Sequence, residues 1–393
     1  MRSNGSPDPC RIPVVAAAFR TPVGRVDGSL SAIEPASLAA PLIRRILIET
    51  GLAPEAVDDV ILGNAANSAG NLARLAVLEA GLPVSVPGMT VDRQCGSGLE
   101  AIVLAARLVQ AGAGRFYLAG GTESTSRAHL RLRPPARPGG TPEPVRRARM
   151  APDAIGDPDM GIAAENVAAH AGIGRARQDA FALESHRRAV EARKAGRFDR
   201  EIVPVETPAG TVSRDECPRE NTSLERLAAL KPVFRPGGTV TAGNACPVND
   251  GASVVLVTSL AEAERLGLTM LVEVVDSAVA GVDPNLLGLG PVPAMARLAA
   301  RNPGVDAAEI PFIEFNEAFA AQVLASLDAL GVDPAAVNRD GGALALGHPY
   351  GASGAILVTR LFAQMRDADA GTEGLATMGI GGGMGIATLF RKV

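Results

Sequence analysis

Short apolar runs alternating with stretches of helical periodicity set the plan of this chain. Runs at Ile12–Ala18, Asp59–Gly63, Met89–Val91 and Phe116–Ala119 predict strands in the first half. Met270–Ala278, Phe312–Phe315, Ala376–Ile380 and Ile386–Arg391 predict strands in the second. Apolar residues recur at helical spacing over Pro35–Thr50, Ala73–Ala80, Ser97–Ala111, Pro293–Arg301, Ala318–Leu330 and Ser353–Ala363. Strand–helix alternation of this kind predicts an α/β protein whose sheets are covered by helices on both faces.

The pattern also repeats. V-D-R-Q-C-G-S-G-L-E-A-I-V-L-A-A-R-L from Val91 echoes V-N-R-D-G-G-A-L-A-L-G-H-P-Y-G-A-S-G-A-I-L-V-T-R-L-F from Val337. Each copy runs from Val-Asp/Asn-Arg through a glycine-bearing turn into an apolar helix. Each is followed by a short apolar strand that ends in glycines, F-Y-L-A-G-G-T-E-S and L-A-T-M-G-I-G-G-G-M-G. Two matches in the same order predict a duplicated α/β unit.

From about Ser124 to Asp250 the alternation stops. R-L-R-P-P-A-R-P-G-G-T-P-E-P-V-R-R-A-R has no period and predicts a loop, and M-G-I-A-A-E-N-V-A-A-H-A-G-I and R-Q-D-A-F-A-L-E-S-H-R-R-A-V-E-A-R predict helices. So long an excursion inside a compact fold is typical of a lid or binding loop. The expected division is 1–123 for a first half, 124–250 for an inserted domain and 251–393 for a second half.

Composition narrows the function. A chain of 393 residues with 47% hydrophobic content can bury a large, or duplicated, core. The formal net charge of −4 gives no global pull toward nucleic acid or an anionic membrane, and 3% aromatics with no Trp leave few platforms for stacking bases. Cys10, Cys95, Cys217 and Cys246 are far apart and form no CxxC pair, which fits free thiols in a reducing compartment. The start M-R-S-N-G-S-P-D-P-C-R has no apolar leader core, and no run of about 18 apolar residues occurs. A cytoplasmic protein that binds neither nucleic acid nor membrane is expected.

Cys95 carries the chemistry that can be read from residues alone. It stands between an apolar approach and a helix, flanked by Gly96 and Gly98, where free N–H groups and the helix dipole favour a thiolate. The competing reading is a small buried core residue. His348, in G-H-P-Y-G-A-S-G, is the histidine held by glycines and a proline, and an imidazole is the base that suits a thiol near neutral pH. A purely structural turn histidine is the alternative. His186 reads as a solvated helix position. Asn316 and Glu317 follow the strand P-F-I-E-F, and Asn316 reads as the cap of the next helix, with orientation of a water or an oxyanion compatible with that. Gly381–Gly383 would leave N–H groups free for an oxyanion, or merely let two elements pack closely.

Taken together these motifs resemble the thiolase family. The resemblance runs nearly end to end through R-T-P-V-G-R, Q-C-G-S-G, A-G-G-T-E-S, M-G-I-A-A-E-N-V-A, T-V-T-A-G-N-A-C-P-V-N-D-G-A, N-E-A-F-A, G-G-A-L-A-L-G-H-P-Y-G-A-S-G and G-I-G-G-G-M-G. It implies a duplicated five-layer αβαβα core with an inserted loop domain that serves coenzyme A binding and oligomer contacts. It implies an acyl-CoA C-acyltransferase of fatty acid metabolism acting on acetyl-CoA or 3-oxoacyl-CoA, assembled as a homodimer or homotetramer. No cofactor or metal is implied beyond the coenzyme A thioester, which is substrate. In this resemblance Cys95 is the acylated nucleophile and His348 the base that activates it. Asn316, through a water, joins His348 in one oxyanion hole, and the N–H groups of Cys95 and Gly381 form the other. Arg219 matches a position against the adenine of coenzyme A, Phe319 lines the acyl pocket, and Met160 falls at the substrate site.

The chain also departs from the family. Gly379 stands where members usually carry a second cysteine, the acid/base of the carbon–carbon step, and glycine moves no proton. A branch of the family supplies that thiol from the helix after Asn-Glu, but Ala318 stands there. Cys246 takes the place of a small serine near the pantetheine arm, with Pro247 for the usual glycine. It either points into the substrate tunnel, as a replacement base or a change of pocket shape, or only fills a small site. Asp159 replaces a histidine often found before Met-Gly, which implies a substrate other than plain acetoacetyl-CoA. Three outcomes follow: a C-acyltransferase, an acyltransferase or hydrolase that keeps only the acyl-transfer half, or a non-catalytic coenzyme A-binding subunit.

Overall fold

The computed structural model describes residues 8–67, 70–145 and 147–393. The leader-free reading of residues 1–7, and Arg146 of the expected loop, lie outside the described residues.

Ten strands share one sheet: β1 (Pro13–Arg20), β2 (Gly24–Arg25), β3 (Asp59–Gly63), β4 (Gly88–Val91), β5 (Phe116–Ser124), β6 (Asn249–Ser259), β7 (Val272–Gly281), β8 (Phe312–Phe315), β9 (Glu373–Ile380) and β10 (Met384–Lys392). Their order is β8-β9-β10-β7-β1-β6-β5-β3-β4, with β2 paired to β6. In each half the first strand lies antiparallel to the last, and the last lies antiparallel to the one before it. That penultimate strand runs parallel to the next, β3 in one half and β8 in the other. Even the irregularities repeat, since the β1–β6 register shifts between Val15 and Ala17 and the β7–β10 register between Val274 and Asp276. The halves join where Val14 pairs with Glu273 and Val15 with Val272.

The helices are α1 (Pro35–Thr50), α2 (Leu72–Glu79), α3 (Ser97–Ala111), α4 (Met160–Ala171), α5 (Arg175–Lys194), α6 (Leu224–Ala228), α7 (Leu260–Arg265), α8 (Pro291–Arg301), α9 (Ala320–Leu330), α10 (Ala343–Leu346) and α11 (Tyr350–Gln364). Their apolar stripes place them in layers. Leu38, Leu42 and Ile46 of α1 pack with Val60 and Val254 on one face of the first half-sheet. Leu99 and Ile102 of α3 and Leu361 of α11 form a middle layer against Val255 on one side and Met378 and Phe390 on the other. Leu298 of α8 and Leu327 of α9 cover the outer face of the second half-sheet with Leu375 and Leu389. The result is the expected five-layer αβαβα core, and each fully buried aliphatic side chain in it contributes roughly 1.5–3 kcal/mol.

Where α3 and α11 cross, backbone meets backbone. A Cβ at Gly98 would stand 2.6 Å from the Gly351 carbonyl oxygen, and one at Gly354 would stand 2.5 Å from the Leu99 nitrogen. Both positions require glycine for close approach.

The sequence did not predict β6. It is buried on both faces along its whole length, so it shows no alternation of apolar and polar positions. It crosses the Asp250/Gly251 boundary drawn above, and its pairing with β1 and β5 attaches residues 251–259 to the first half.

The segment from Ser124 to Asp250 holds α4, α5 and α6 and two small hairpins, one of which (Leu132–Arg133 with Glu143–Pro144) lies in the Pro- and Arg-rich stretch expected as loop, whose other described residues are irregular and largely exposed. It is tied to both halves by buried ion pairs. Arg20 donates to Glu201 at 2.7 Å and to Asp215 at 2.6 Å, while Arg360 pairs with Glu201 and Asp340. Mutual pairing offsets the cost of removing these charges from water.

Candidate active site

Cys95 lies in the turn between β4 and α3. Gln94 takes a left-handed φ of 48°, and its N–H donates to Asp92 Oδ1 at 2.7 Å. Ser97 Oγ donates to the Gln94 carbonyl at 2.6 Å and accepts from the Arg93 N–H at 2.8 Å. These bonds hold the turn so that Cys95 is only partly exposed. The N–H groups of Gly381 and of Cys95 itself point at the sulfur.

A helix N-terminus predicted a thiolate here, and the structure corrects that. Cys95 precedes the capping residue Gly96 rather than sitting in the first turn. Burial is the dominant influence on the thiol, and the charges of Glu123 and Asp92 add to it. Together they outweigh the two N–H groups and push the pKa up to about 11. At neutral pH Cys95 is a thiol.

His348 follows Gly347, whose φ of 111° and contact with Asn249, 2.5 Å from where a Cβ would stand, admit only glycine. Its N–H donates to Asn249 Oδ1 at 2.8 Å, its Nδ1 lies 2.6 Å from Ser353 Oγ, and Tyr350 meets the ring edge-on at 5.3 Å. Its Nε2 is buried with no hydrogen-bond partner among the described residues. Burial pushes its pKa down to about 4, so the ring is neutral.

Cys95, Cys246 and His348 line one cavity of about 380 Å³, together with Phe319, Met160 and Gly381. A second cavity, about 330 Å³, meets the first at Cys95, Met160, Tyr350 and Gly381. Gly379 also faces the first cavity, and a Cβ there would have ordinary room, 3.5 Å from the Leu287 carbonyl oxygen and 3.6 Å from that of Gly288. Burial, then the nearby charge of Cys95, pushes the Cys246 thiol far above its usual range.

Other predicted residues lie elsewhere. Asn316 is not the cap of α9, which begins at Ala320 after Phe319. Asn316 lines neither large cavity but a separate void of about 20 Å³, shared with Gly347 and Ser353, and its Nδ2 has no partner among the described residues. A void of that size is enough for one water. Arg219 stands on an exposed loop outside both cavities, and its backbone N–H donates to His186 Nδ1 at 3.2 Å. His186 is therefore a buried acceptor rather than a solvated helix residue, with its pKa pushed down to about 4 by burial and the Arg219 charge. Asp159 lines the cavity mouth and pairs with Arg147 at 2.8 Å.

Sequence reasoning missed Ser353, Tyr350 and Gln322. Ser353 and Tyr350 sit inside the motif G-H-P-Y-G-A-S-G, so proximity to His348 was a usable signal for both. Gln322 was hidden because its helix reads as uniformly buried. It is 3% exposed, lines the first cavity beside Gly379, and neither end of its carboxamide has a partner among the described residues.

A duplicated α/β core with a thiol and a neutral imidazole facing one cavity is suited to acyl transfer. Residues 13–261 match the thiolase N-terminal domain and residues 268–392 the thiolase C-terminal domain. The chain is 45% identical over 381 residues to "Putative acetyl-CoA C-acetyltransferase VraB" of Staphylococcus haemolyticus, covering 96% of this chain and 98% of that protein. The protein of the same name from Staphylococcus epidermidis is 44% identical over 382 residues, covering 97% and 98%. The crystal structure of the Bacillus anthracis acetyl-CoA acetyltransferase superposes with a TM-score of 0.89 at 36% identity, covering 97% of this chain and 99% of that one. This protein is an acyltransferase enzyme, and it belongs to the thiolase family. Among the described residues no helix is long and apolar enough to cross a membrane.

Proposed function

We propose that the chain transfers acyl groups from coenzyme A thioesters through an acyl-Cys95 intermediate, as an acetyl-CoA C-acyltransferase. The observation that carries this reading is that Cys95 and His348 line one cavity, with His348 Nε2 unpartnered among the described residues. His348 Nε2 takes the Cys95 proton as sulfur attacks the thioester carbonyl. The N–H groups of Cys95 and Gly381, already directed at the sulfur, receive the developing oxyanion. Asn316 holds a water in the second oxyanion site. The inserted segment supplies Met160, Phe234 and Cys246 to the cavity, which supports a share in coenzyme A binding; Arg219 keeps its adenine role only if its exposed loop closes over the ligand. The working form is a cytoplasmic homodimer or homotetramer that needs no further cofactor.

Incubation with acetyl-CoA followed by peptide mass spectrometry tests this reading. An acetyl adduct on the Cys95 peptide is expected, and its absence overturns the proposal.

Gly379 favours a second reading. It stands where family members usually place the thiol of the carbon–carbon step, so the chain keeps only acyl transfer, to another nucleophile or to water. Thiolysis of acetoacetyl-CoA, followed at its enolate absorbance, separates the two. Turnover supports the full C-acyltransferase, and an acylated enzyme without thiolysis supports the half-reaction alone.

A further inference from the structure

The first cavity contains a second thiol that reaches it by a different route from the family's usual strand position. Cys246 lies on the loop before β6, its N–H donating to the Ala318 carbonyl at 3.0 Å. Its neighbours fix it further, because Ala245 bridges Phe319 and Val248 bridges His348. The loop base is tied down by Asn244, whose Oδ1 accepts from the Thr241 N–H at 2.8 Å and whose Nδ2 donates to Asp179 at 2.9 Å. Cys246 is thus locked to the base His348 and to the start of α9, and it shares the cavity with Cys95.

A cysteine alone would mark nothing. Two independent groups show that this cavity is built for a polar ligand. His348, 2% exposed, and Gln322, 3% exposed, both line it and both keep unpartnered polar atoms. A buried polar atom of this kind is stabilised when a ligand or water pairs with it. Gln322 Nε2 lies 3.7 Å from where a Cβ of residue 379 would stand, so the space left by Gly379 is flanked by a free amide.

We propose that Cys246 is the proton-transfer thiol of the carbon–carbon step, and that its loop position substitutes for the side chain missing at Gly379. The proposal rests on the acyl-Cys95 reading above. In the first half-reaction Cys95 gives its proton to His348, its sulfur bonds to the acyl carbon, and the carbon–sulfur bond to coenzyme A breaks. Cys246 protonates the departing thiolate. In the second, the Cys246 thiolate removes a proton from the α-carbon of acetyl-CoA, and that carbon bonds to the acyl carbon. Cys95 leaves as thiolate and recovers its proton from His348. Acyl-CoA and acetyl-CoA become 3-oxoacyl-CoA and free coenzyme A, with every enzyme proton restored.

The test uses the intact protein, acetoacetyl-CoA thiolysis, and exchange of acetyl-CoA α-hydrogens in D₂O. Wild-type protein should show both activities and Cys246→Ala should lose each by about 10²-fold or more. The acetyl adduct on Cys95 should still form in that variant on prolonged incubation, more slowly because the departing coenzyme A thiolate is no longer protonated by Cys246. Cys246→Ser, nearly isosteric, should match it, which separates chemistry from folding. Gly379→Cys placed in the Cys246→Ala background should restore thiolysis, since residue 379 has room for a side chain. Undiminished thiolysis in Cys246→Ala overturns the proposal, and so does a wild type that is acylated on Cys95 yet shows neither thiolysis nor exchange. A wild type with no Cys95 adduct instead overturns the acyl-Cys95 reading on which the proposal stands.

Discussion

The turn before α3 and the turn before α11 occupy equivalent places in the two halves, yet they are built differently. The first is short, held by its own side chains and a left-handed Gln94, and delivers Cys95 directly. The second inserts α10 and Gly347 before reaching His348. Each functional atom is fixed by a group from the opposite half. Gly381, after β9, points its N–H at the Cys95 sulfur, and Asn249, on β6, holds the His348 backbone. The two halves offer equivalent scaffolds, and the differing turns place Cys95, the proposed nucleophile, on one and His348, the proposed base, on the other. Neither half contains a complete site.

Removing the base should have the largest effect on this division of labour. His348→Ala is expected to slow acylation of Cys95 by acetyl-CoA by about 10²–10⁴-fold, read by quenched-flow mass spectrometry. An undiminished rate would falsify the pairing of the two turns. Next comes the crossing of α3 and α11. Gly354→Ala drives a methyl to 2.5 Å from the Leu99 nitrogen and should lower stability by about 3 kcal/mol, seen as a lower urea midpoint. A midpoint within error of wild type would show that the halves can slide. Ser353→Ala removes the partner of His348 Nδ1 and should cost about tenfold in acylation with the urea midpoint little changed. A stability loss matching the rate loss would make Ser353 a packing residue only.

A further test is one of pH. With the Cys95 pKa at about 11 and His348 at about 4, both groups are neutral across the physiological range. Cys95 deprotonates only as pH rises toward 11, so its alkylation by iodoacetamide should climb about tenfold per pH unit from 7 to 10 with no plateau. A plateau near pH 8 would instead indicate a preformed thiolate–imidazolium pair.

Much of this was legible from pattern. The duplicated turn-and-helix motif predicted α3 and α11, and the local residues around Cys95 and His348 singled out both, which the structure brings to one cavity. What failed did so for physical reasons. β6 escaped because a strand buried on both faces carries no period-two signal. Asn316 was read as a cap because Asn before an apolar helix usually is one, but the helix begins only after an extended Phe319, and Asn316 lines a small void shared with Gly347 and Ser353 instead. The thiolate expected at Cys95 ignored desolvation, which no local motif encodes. Gln322 could not be singled out because its lack of partners is a property of three packed elements, not of its own helix.

The glycine crossing has a further consequence. Because α3 and α11 approach through main chain at Gly98 and Gly354, the helices that follow Cys95 and His348 meet at that crossing without a long side chain between them. The two turns therefore behave like jaws on a common rigid axle. Substitutions in the outer helical layers will drain thermal stability well before they widen the gap between sulfur and imidazole. Variants weakened there should melt earlier while turning over at an undiminished rate until they melt.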